Sequence, residues 1–266
     1  IRVVLSFGVI KLAKKKTLVK NLYSIEMLAR ANILCLDKTG TITDGTMNVV
    51  DVIPLNNTHK SKIESVMKTI LHHQKTMNAT SLALLNHFGR DTESEVKEVI
   101  EFASQRKYSA TTLKNGKTYF MGAPSFIKCP ITSEQKKIMT ENMEKGYRVI
   151  ALAETHEAYD EKKAGKNGKL IAFFVLEDHI RKDAVETIDW FKKNNVKIKI
   201  ISGDDAITVS KIAMRVGVEG YDRYVSLENV SLQEVAQLAN KFTVFGRVTP
   251  EQKHVLVKTL KTQGNV

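Results

Sequence analysis

The sequence predicts an α/β fold: a parallel sheet with helices on both faces, interrupted by an inserted α+β domain. Three observations carry this. From about residue 170 to the end, strand-like and helix-like segments alternate strictly, the pattern of a parallel sheet built from crossover units. A strand of the same buried type, "NILCLD", ends at Asp37, more than a hundred residues upstream. Between them lies a stretch with hairpin and helix signals of its own, as expected of an insertion into another domain.

The elements follow in order. Residues 18–31 show apolar side chains at helical spacing, and "NILCLD" then reads as a short buried strand. "TMNVVDVIPL" (46–55) reads as an outgoing linker that becomes a strand, and 60–75 and 78–88 read as helices. "TTLKNGKTYFMG" is a hairpin turning at Asn115-Gly116, a dipeptide that tolerates left-handed backbone angles. A helix over 133–146 is closed by Gly146. "YRVIALAE" is a strand and "EKKAGKNGKL" a polar turn. The parallel-sheet half then runs "LIAFFVLED" (strand), "RKDAVETIDWFKKNN" (helix), "VKIKIIS" (strand), "AITVSKIAMRVG" (helix), a helix near 231–240, "FTVFGRV" (strand) and "PEQKHVLVKTLKTQG" (helix). The boundaries expected are 1–30 for a leading segment, 31–47 and 174–266 for the sheet domain, and 48–173 for the insertion.

Composition narrows the function. The chain has 266 residues, 42% of them hydrophobic, enough for a packed core. Its two cysteines, Cys35 and Cys129, provide neither a disulfide framework nor a zinc site. The formal net charge of +12 attracts phosphorylated ligands or anionic lipid. No nucleic-acid motif accompanies it, so no nucleic-acid partner is expected. The opening "IRVVLSFGVI" followed by "KLAKKK" reads either as an ordinary amphipathic segment or as the cut end of a membrane span with a basic collar. Because the chain begins with Ile, it is expected to be a piece of a longer protein.

Candidate chemistry gathers at strand ends. Ligands of open parallel sheets bind outside the carboxyl ends of the strands. Asp37, "SGDD" (202–205) and the segment after "FGRV" all fall there. Asp37, Ser202, Gly203, Asp204 and, one helical turn on, Lys253 are thus delivered to one edge. Small residues leave backbone N–H groups to hold phosphate oxygens. A carboxylate, a hydroxyl and a lysine around such a nest suit phosphoryl transfer, with Asp37 as nucleophile and Lys253 balancing charge. Taken singly, an Asp after a strand is usually a turn or cap residue; the combination carries the reading. "AGKNGK" has the wrong glycine spacing for a P-loop.

"DKTGT" (37–41) resembles the phosphorylation signature of the P-type (E1-E2) cation-transporting ATPases. Further segments match that family in order: "FASQRKYS" (102–109), "MGAP" (121–124), "YRVIALA" (147–153), "EDHIR" (177–181), "SGDD" and "VTPEQK" (248–253). The resemblance covers nearly the whole chain. It implies a haloacid-dehalogenase-like, Rossmann-like phosphorylation (P) domain with an inserted nucleotide-binding (N) domain, behind a membrane-exit or stalk segment.

The resemblance implies that Asp37 accepts the γ-phosphate of ATP as an aspartyl phosphate. Lys38, Thr39, Ser202, Gly203 and Lys253 would hold the phosphoryl group. Asp37 and the Thr39 carbonyl would ligate Mg²⁺. Phe102 would stack on adenine, Lys107 line the pocket and Gly122 allow close approach. Arg148, Asp178, Arg181 and Asp204 would serve the nucleotide. From the residues alone, other readings stay open: Phe102 as core, Arg148 as a surface strand residue and Lys107 as simply solvated.

The same resemblance implies the transmembrane and actuator parts of one polypeptide and a transported cation as partners. It implies the cytosolic portion of an integral membrane protein, with a bacterial plasma membrane preferred. Departures from the family pattern are Met121 for a lysine, Ser104 for a frequent arginine, Ser81 for a glutamate, Ser202 for threonine and "DHI" without prolines. The family's Gly-Asp-Gly-x-Asn-Asp motif does not appear before Val266, so the P domain is expected to be truncated and the fragment impaired in turnover. Two other classes stay open: a soluble phosphatase of the wider haloacid-dehalogenase type, and a non-catalytic nucleotide-binding module. Soluble phosphatases usually place a second Asp two residues after the nucleophile as general acid and base. Here that position is Thr39.

Overall fold

A computed structural model describes residues 2–14, 17–91 and 94–266. The chain forms two compact units, one of residues 1–42 and 182–266, the other of residues 43–181.

The first unit carries a four-stranded parallel sheet. Its strands are β1 (Ile33–Asp37), β8 (Lys197–Ile201), β9 (Tyr224–Ser226) and β10 (Val244–Gly246), in the order β1-β8-β10-β9. Period-2 alternation sends neighbouring side chains to opposite faces. Ile201 and Phe245 pack with Val235 of α8 (Leu232–Leu238) and with Leu256 and Leu260 of α9 (Pro250–Thr262). Helices α6 (Ala184–Lys193) and α7 (Ala206–Arg215) pack against β8 and β10. Among the described residues β1 is an edge strand. Asn32 and Ile33, at its start, donate backbone hydrogen bonds to the Val266 carbonyl at 3.0 and 3.3 Å.

Two helices precede β1, α1 (Arg2–Lys14) and α2 (Leu22–Ala29). No helix among the described residues is long and apolar enough to cross a membrane. Of the opening segment and its basic collar, Ile1, Lys15 and Lys16 lie outside the described residues.

The second unit carries a six-stranded antiparallel sheet. Its strands are β2 (Thr43–Pro54), β3 (Val96–Ile100), β4 (Tyr108–Leu113), β5 (Thr118–Gly122), β6 (Arg148–Thr155) and β7 (Lys169–Ile180), in the order β2-β7-β6-β5-β4-β3. On one face, Met67, Ile70 and Leu71 of α3 (Lys60–His73) and Leu84 and Phe88 of α4 (Ala79–Phe88) pack with Leu152, Phe174 and Leu176. On the other, Phe120, Ala151 and Phe173 pack with Ile138, Met139 and Met143 of α5 (Ser133–Glu144). The hairpin turn forms at Asn115-Gly116: Gly116 adopts φ 84° and Asn115 Oδ1 accepts from the Lys117 N–H at 3.1 Å.

Two expectations change. "LIAFFVLED" belongs to the antiparallel sheet, not the parallel one, pairing with β2 and β6. Its residues 170–176 are buried on both faces because each face of this sheet is covered. A strand buried on both sides is uniformly apolar whatever its partners' direction. The second difference is the division between units, at 42/43 and 181/182 instead of 47/48 and 173/174. Strands β2 and β7 stay paired from Thr43–Ile180 to Pro54–Ala172, which keeps both strand ends in the second unit. Strands β3 and β9 carried no clear signal. β3 is half exposed at the sheet edge, and β9 is only three residues long.

Candidate active site

Strand β1 ends at Asp37, and the chain turns at once. Thr39 is extended (φ −80°, ψ 127°), and Gly40 takes φ 78°, a left-handed angle that glycine adopts without Cβ strain. The turn folds the Thr39 N–H back to Asp37 Oδ1 at 3.3 Å. Lys253 lies in the first turn of α9, whose start is set by Pro250 and by a reciprocal cap between Thr249 and Gln252. Its Nζ donates to Asp37 Oδ2 at 2.8 Å. Residues 216 positions apart thus meet at the carboxyl end of β1.

The loop after β8 completes this edge. Ser202 is buried; its N–H donates to the Phe245 carbonyl at 2.9 Å, and its Oγ accepts from the Asp204 N–H at 3.2 Å. Gly203 is exposed between them. Asp205 caps α7, accepting from the N–H groups of Ile207 and Thr208. Asp204 points elsewhere: its Oδ2 lies 2.7 Å from the Nζ of Lys38. The Lys38 side chain is fully buried. Its ammonium thus pairs with the carboxylate of the loop after β8.

Residues 246 and 247 carried no signal of their own, yet they hold this loop. A Cβ on Gly246 would lie 2.4 Å from the Cα of Ala206, so only glycine lets β10 approach the start of α7. Arg247, at φ 54°, donates its N–H to the Asp204 carbonyl at 2.7 Å.

The second unit gathers its own set. Phe102 is exposed at 40% in the loop between β3 and β4. That loop is closed by the Lys107 N–H to the Ala103 carbonyl at 2.8 Å and is held at its start by Glu101. Glu101 accepts from the Lys75 N–H at 2.9 Å and the Thr76 hydroxyl at 2.6 Å. Burial alone would raise the Glu101 carboxyl; the hydrogen bonds from Thr76 and Lys75 outweigh it and hold the group below its usual range. Lys107 sits at φ 55°, and its carbonyl accepts from the Ala123 N–H at 3.0 Å. A Cβ on Gly122 would lie 2.3 Å from that carbonyl oxygen. Arg148 and Asp178 approach to 3.8 Å, with Asp178 buried. Arg181 is exposed where this unit ends, and Ser81 and Met121 are both buried.

Asp204, grouped by sequence with the nucleotide contacts, thus belongs to the first unit. Among the described residues no group of three or more His, Cys, Asp or Glu side chains could hold a metal ion. The Asp37 carboxylate and the Thr39 carbonyl are oxygen donors of the kind Mg²⁺ takes.

A carboxylate at the carboxyl end of a parallel strand, a lysine on it and a capped loop beside it thus share one edge of the first unit. The haloacid dehalogenase-like hydrolase family matches residues 31–266. The chain belongs to the haloacid dehalogenase-like hydrolases. Within that family it is homologous to cation-transporting P-type ATPases. It is 39% identical over 261 residues to the "Probable cation-transporting ATPase exp7" of Streptococcus pneumoniae, covering 97% of this chain and 33% of the relative. It is 31% identical over 259 residues to the "Calcium-transporting ATPase CtpE" of Mycobacterium bovis, covering 97% and 32%. A "Probable cation-transporting P-type ATPase" of Mycoplasma genitalium is 29% identical over 291 residues. The chain therefore spans about a third of the length of these relatives.

Proposed function

We propose that the chain is the cytosolic catalytic part of a cation-transporting P-type ATPase. In this reading the first unit is the phosphorylation domain and the second binds ATP. The observation that carries it is the 2.8 Å contact between Lys253 Nζ and Asp37 Oδ2 at the carboxyl end of β1. An Asp37 oxygen attacks the γ-phosphorus, the bond to the β-phosphate oxygen breaks, and ADP leaves. Lys253 offsets the charge spread over the transferred oxygens. Ser202 and the backbone around Gly203 receive the phosphoryl group. On the second unit, Phe102 offers a ring for adenine, Lys107, Arg148 and Arg181 offer positive charge for the rest of the nucleotide, and the buried Asp178 faces Arg148.

Mg²⁺, held by Asp37 and the Thr39 carbonyl, would neutralise phosphate charge. Thr39 favours a pump over a soluble phosphatase. A threonine cannot act as general base at neutral pH, so the aspartyl phosphate persists long enough to drive a conformational step. In the whole protein that step moves a cation.

The test is incubation of the complete gene product with γ-labelled ATP and Mg²⁺, followed by an acid quench. Hydroxylamine-sensitive label, absent in Asp37→Asn, is expected. Its absence from the unsubstituted protein would sink the mechanism.

A further inference from the structure

A cavity of about 460 Å³ opens in the first unit at the end of the sheet away from Asp37. Strands β1 and β8 are parallel, with Ile33 level with Lys197 and Asp37 with Ile201. Four residues at about 3.3 Å each separate those levels by about 13 Å. The cavity is lined by the starts of β8 and β10 and by the 217–223 turn, and its polar groups include Lys192, Lys197, Lys199, Arg223, Asn240 and Thr243.

Its charge is one-sided. Glu219 also lines it but pairs with Lys192 at 2.8 Å. That leaves Lys197, Lys199 and Arg223. Among the described residues no carboxylate lies within 4 Å of any of the three. Lys199 is only 8% exposed, and its Nζ meets the Phe242 carbonyl at 2.5 Å. An ammonium has three donors, so that carbonyl uses one. A buried cation without a counter-charge is costly. Burial lowers the Lys199 pKa, Cys35 opposes the shift, and the like charges of Arg223 and Lys197 add to it. Room for the guanidinium depends on Gly220, at φ 72°: a Cβ there would lie 2.6 Å from an Arg223 nitrogen and 2.9 Å from Thr243 Oγ1.

We infer that this cavity is a second binding site, for a phosphate-type oxyanion, built by Lys197, Lys199, Arg223 and Thr243. The guanidinium fork and two ammonium groups match a multiply charged tetrahedral oxyanion, and the Thr243 hydroxyl adds a donor. The volume admits a phosphate bearing an organic group. Such an anion relieves the repulsion among the three cations and supplies the counter-charge that Lys199 lacks. A soluble phosphate compound and an anionic lipid headgroup present the same chemistry.

The test is a titration of the ¹⁵N-labelled chain at constant ionic strength with three probes: inorganic phosphate, tripolyphosphate, and phosphatidylcholine vesicles with or without phosphatidylglycerol. Saturable amide shifts at Lys197, Lys199, Arg223 and Thr243 are expected, and they persist in Lys253→Gln. Saturation by a free anion assigns a soluble ligand; a response only to vesicles containing phosphatidylglycerol assigns a headgroup. Lys197→Gln with Arg223→Gln, both at exposed positions, weakens binding at least tenfold. Lys199→Met, which keeps the volume and removes the charge, weakens binding while raising the thermal midpoint without ligand. Silence with all three probes, or shifts that survive the paired substitution unchanged, overturns the site.

Discussion

Lys38, fully buried, lies 2.7 Å from Asp204, which is one-fifth exposed. The two partners of this pair are not equivalent. Removing the carboxylate takes the opposite charge from a fully buried ammonium, whereas removing the ammonium leaves a carboxylate that water can reach. Asp204→Asn is therefore expected to destabilise the first unit by about 2–4 kcal/mol, and Lys38→Met by roughly half as much. Urea midpoints of the two variants check the order. Equal losses would show that the burial asymmetry does not matter.

The Asp37–Lys253 pair behaves differently. Both side chains are nearly half exposed, and such pairs contribute about 0–1 kcal/mol to stability. Lys253→Met should leave the urea midpoint almost unchanged while phosphorylation of Asp37 in the complete protein falls by at least a hundredfold, about 2.7 kcal/mol of barrier. Parallel measurement of midpoint and label separates the two roles.

Gly122→Ala places a Cβ 2.3 Å from the Lys107 carbonyl oxygen and 2.5 Å from the Tyr108 Cα, both on the neighbouring strand's backbone. Backbone cannot rotate aside as a side chain can. A loss of about 1–3 kcal/mol is expected, with displacement of the 102–107 loop. Lys107→Gly, which relieves φ 55°, should keep the fold while weakening ATP binding. Thermal unfolding and nucleotide titration of both variants distinguish the outcomes.

Glu154 is buried and meets Lys62 Nζ at 2.6 Å and the Tyr119 hydroxyl at 2.9 Å. Burial would raise its carboxyl; Lys62, Tyr119 and Lys117 outweigh it, so the folded pKa lies below the usual 4.5. A depressed carboxyl contributes stability that is present above its unfolded pKa and is lost as pH falls through the folded one. The second unit should therefore weaken below about pH 4.5. Glu154→Gln should lower stability at neutral pH and flatten that acid slope. An unchanged slope in acid unfolding would contradict the assignment.

ATP affinity of the chain should be weaker than a Kd of about 1 μM, roughly −8 kcal/mol. Ser81 and Met121, the positions where the resemblance implies a glutamate in some members and a lysine, carry no charge, and both are buried. Isothermal titration with ATP checks this.

The regular elements were largely legible because each obeys a local rule. Apolar spacing marked α3, α4, α6 and α9. Asn115-Gly116 marked the hairpin, and Gly146, at φ 86°, the end of α5. Strand direction was not legible for β7, since a doubly covered strand is apolar in either orientation. Nor was the extent of pairing that fixes its ends. Of the candidate site, "DKTGT", "SGDD" and "VTPEQK" were visible as separate motifs. Gly246 and Arg247 were not, because their role depends on how closely β10 approaches α7.

What the sequence determined alone was the inventory: an aspartate at the end of a buried strand, hydroxyls and glycines after it, a threonine where an acid would speed hydrolysis, and a lysine in a capped helix. These are local choices, set by residue type and spacing of only a few positions. Tertiary structure decided which lysine faces which aspartate. Lys38, adjacent to Asp37 in the chain, pairs with Asp204, while Lys253, distant in sequence, reaches Asp37. Parallel strand pairing and helix packing bring together groups far apart in the chain, so sequence adjacency does not decide which charges meet.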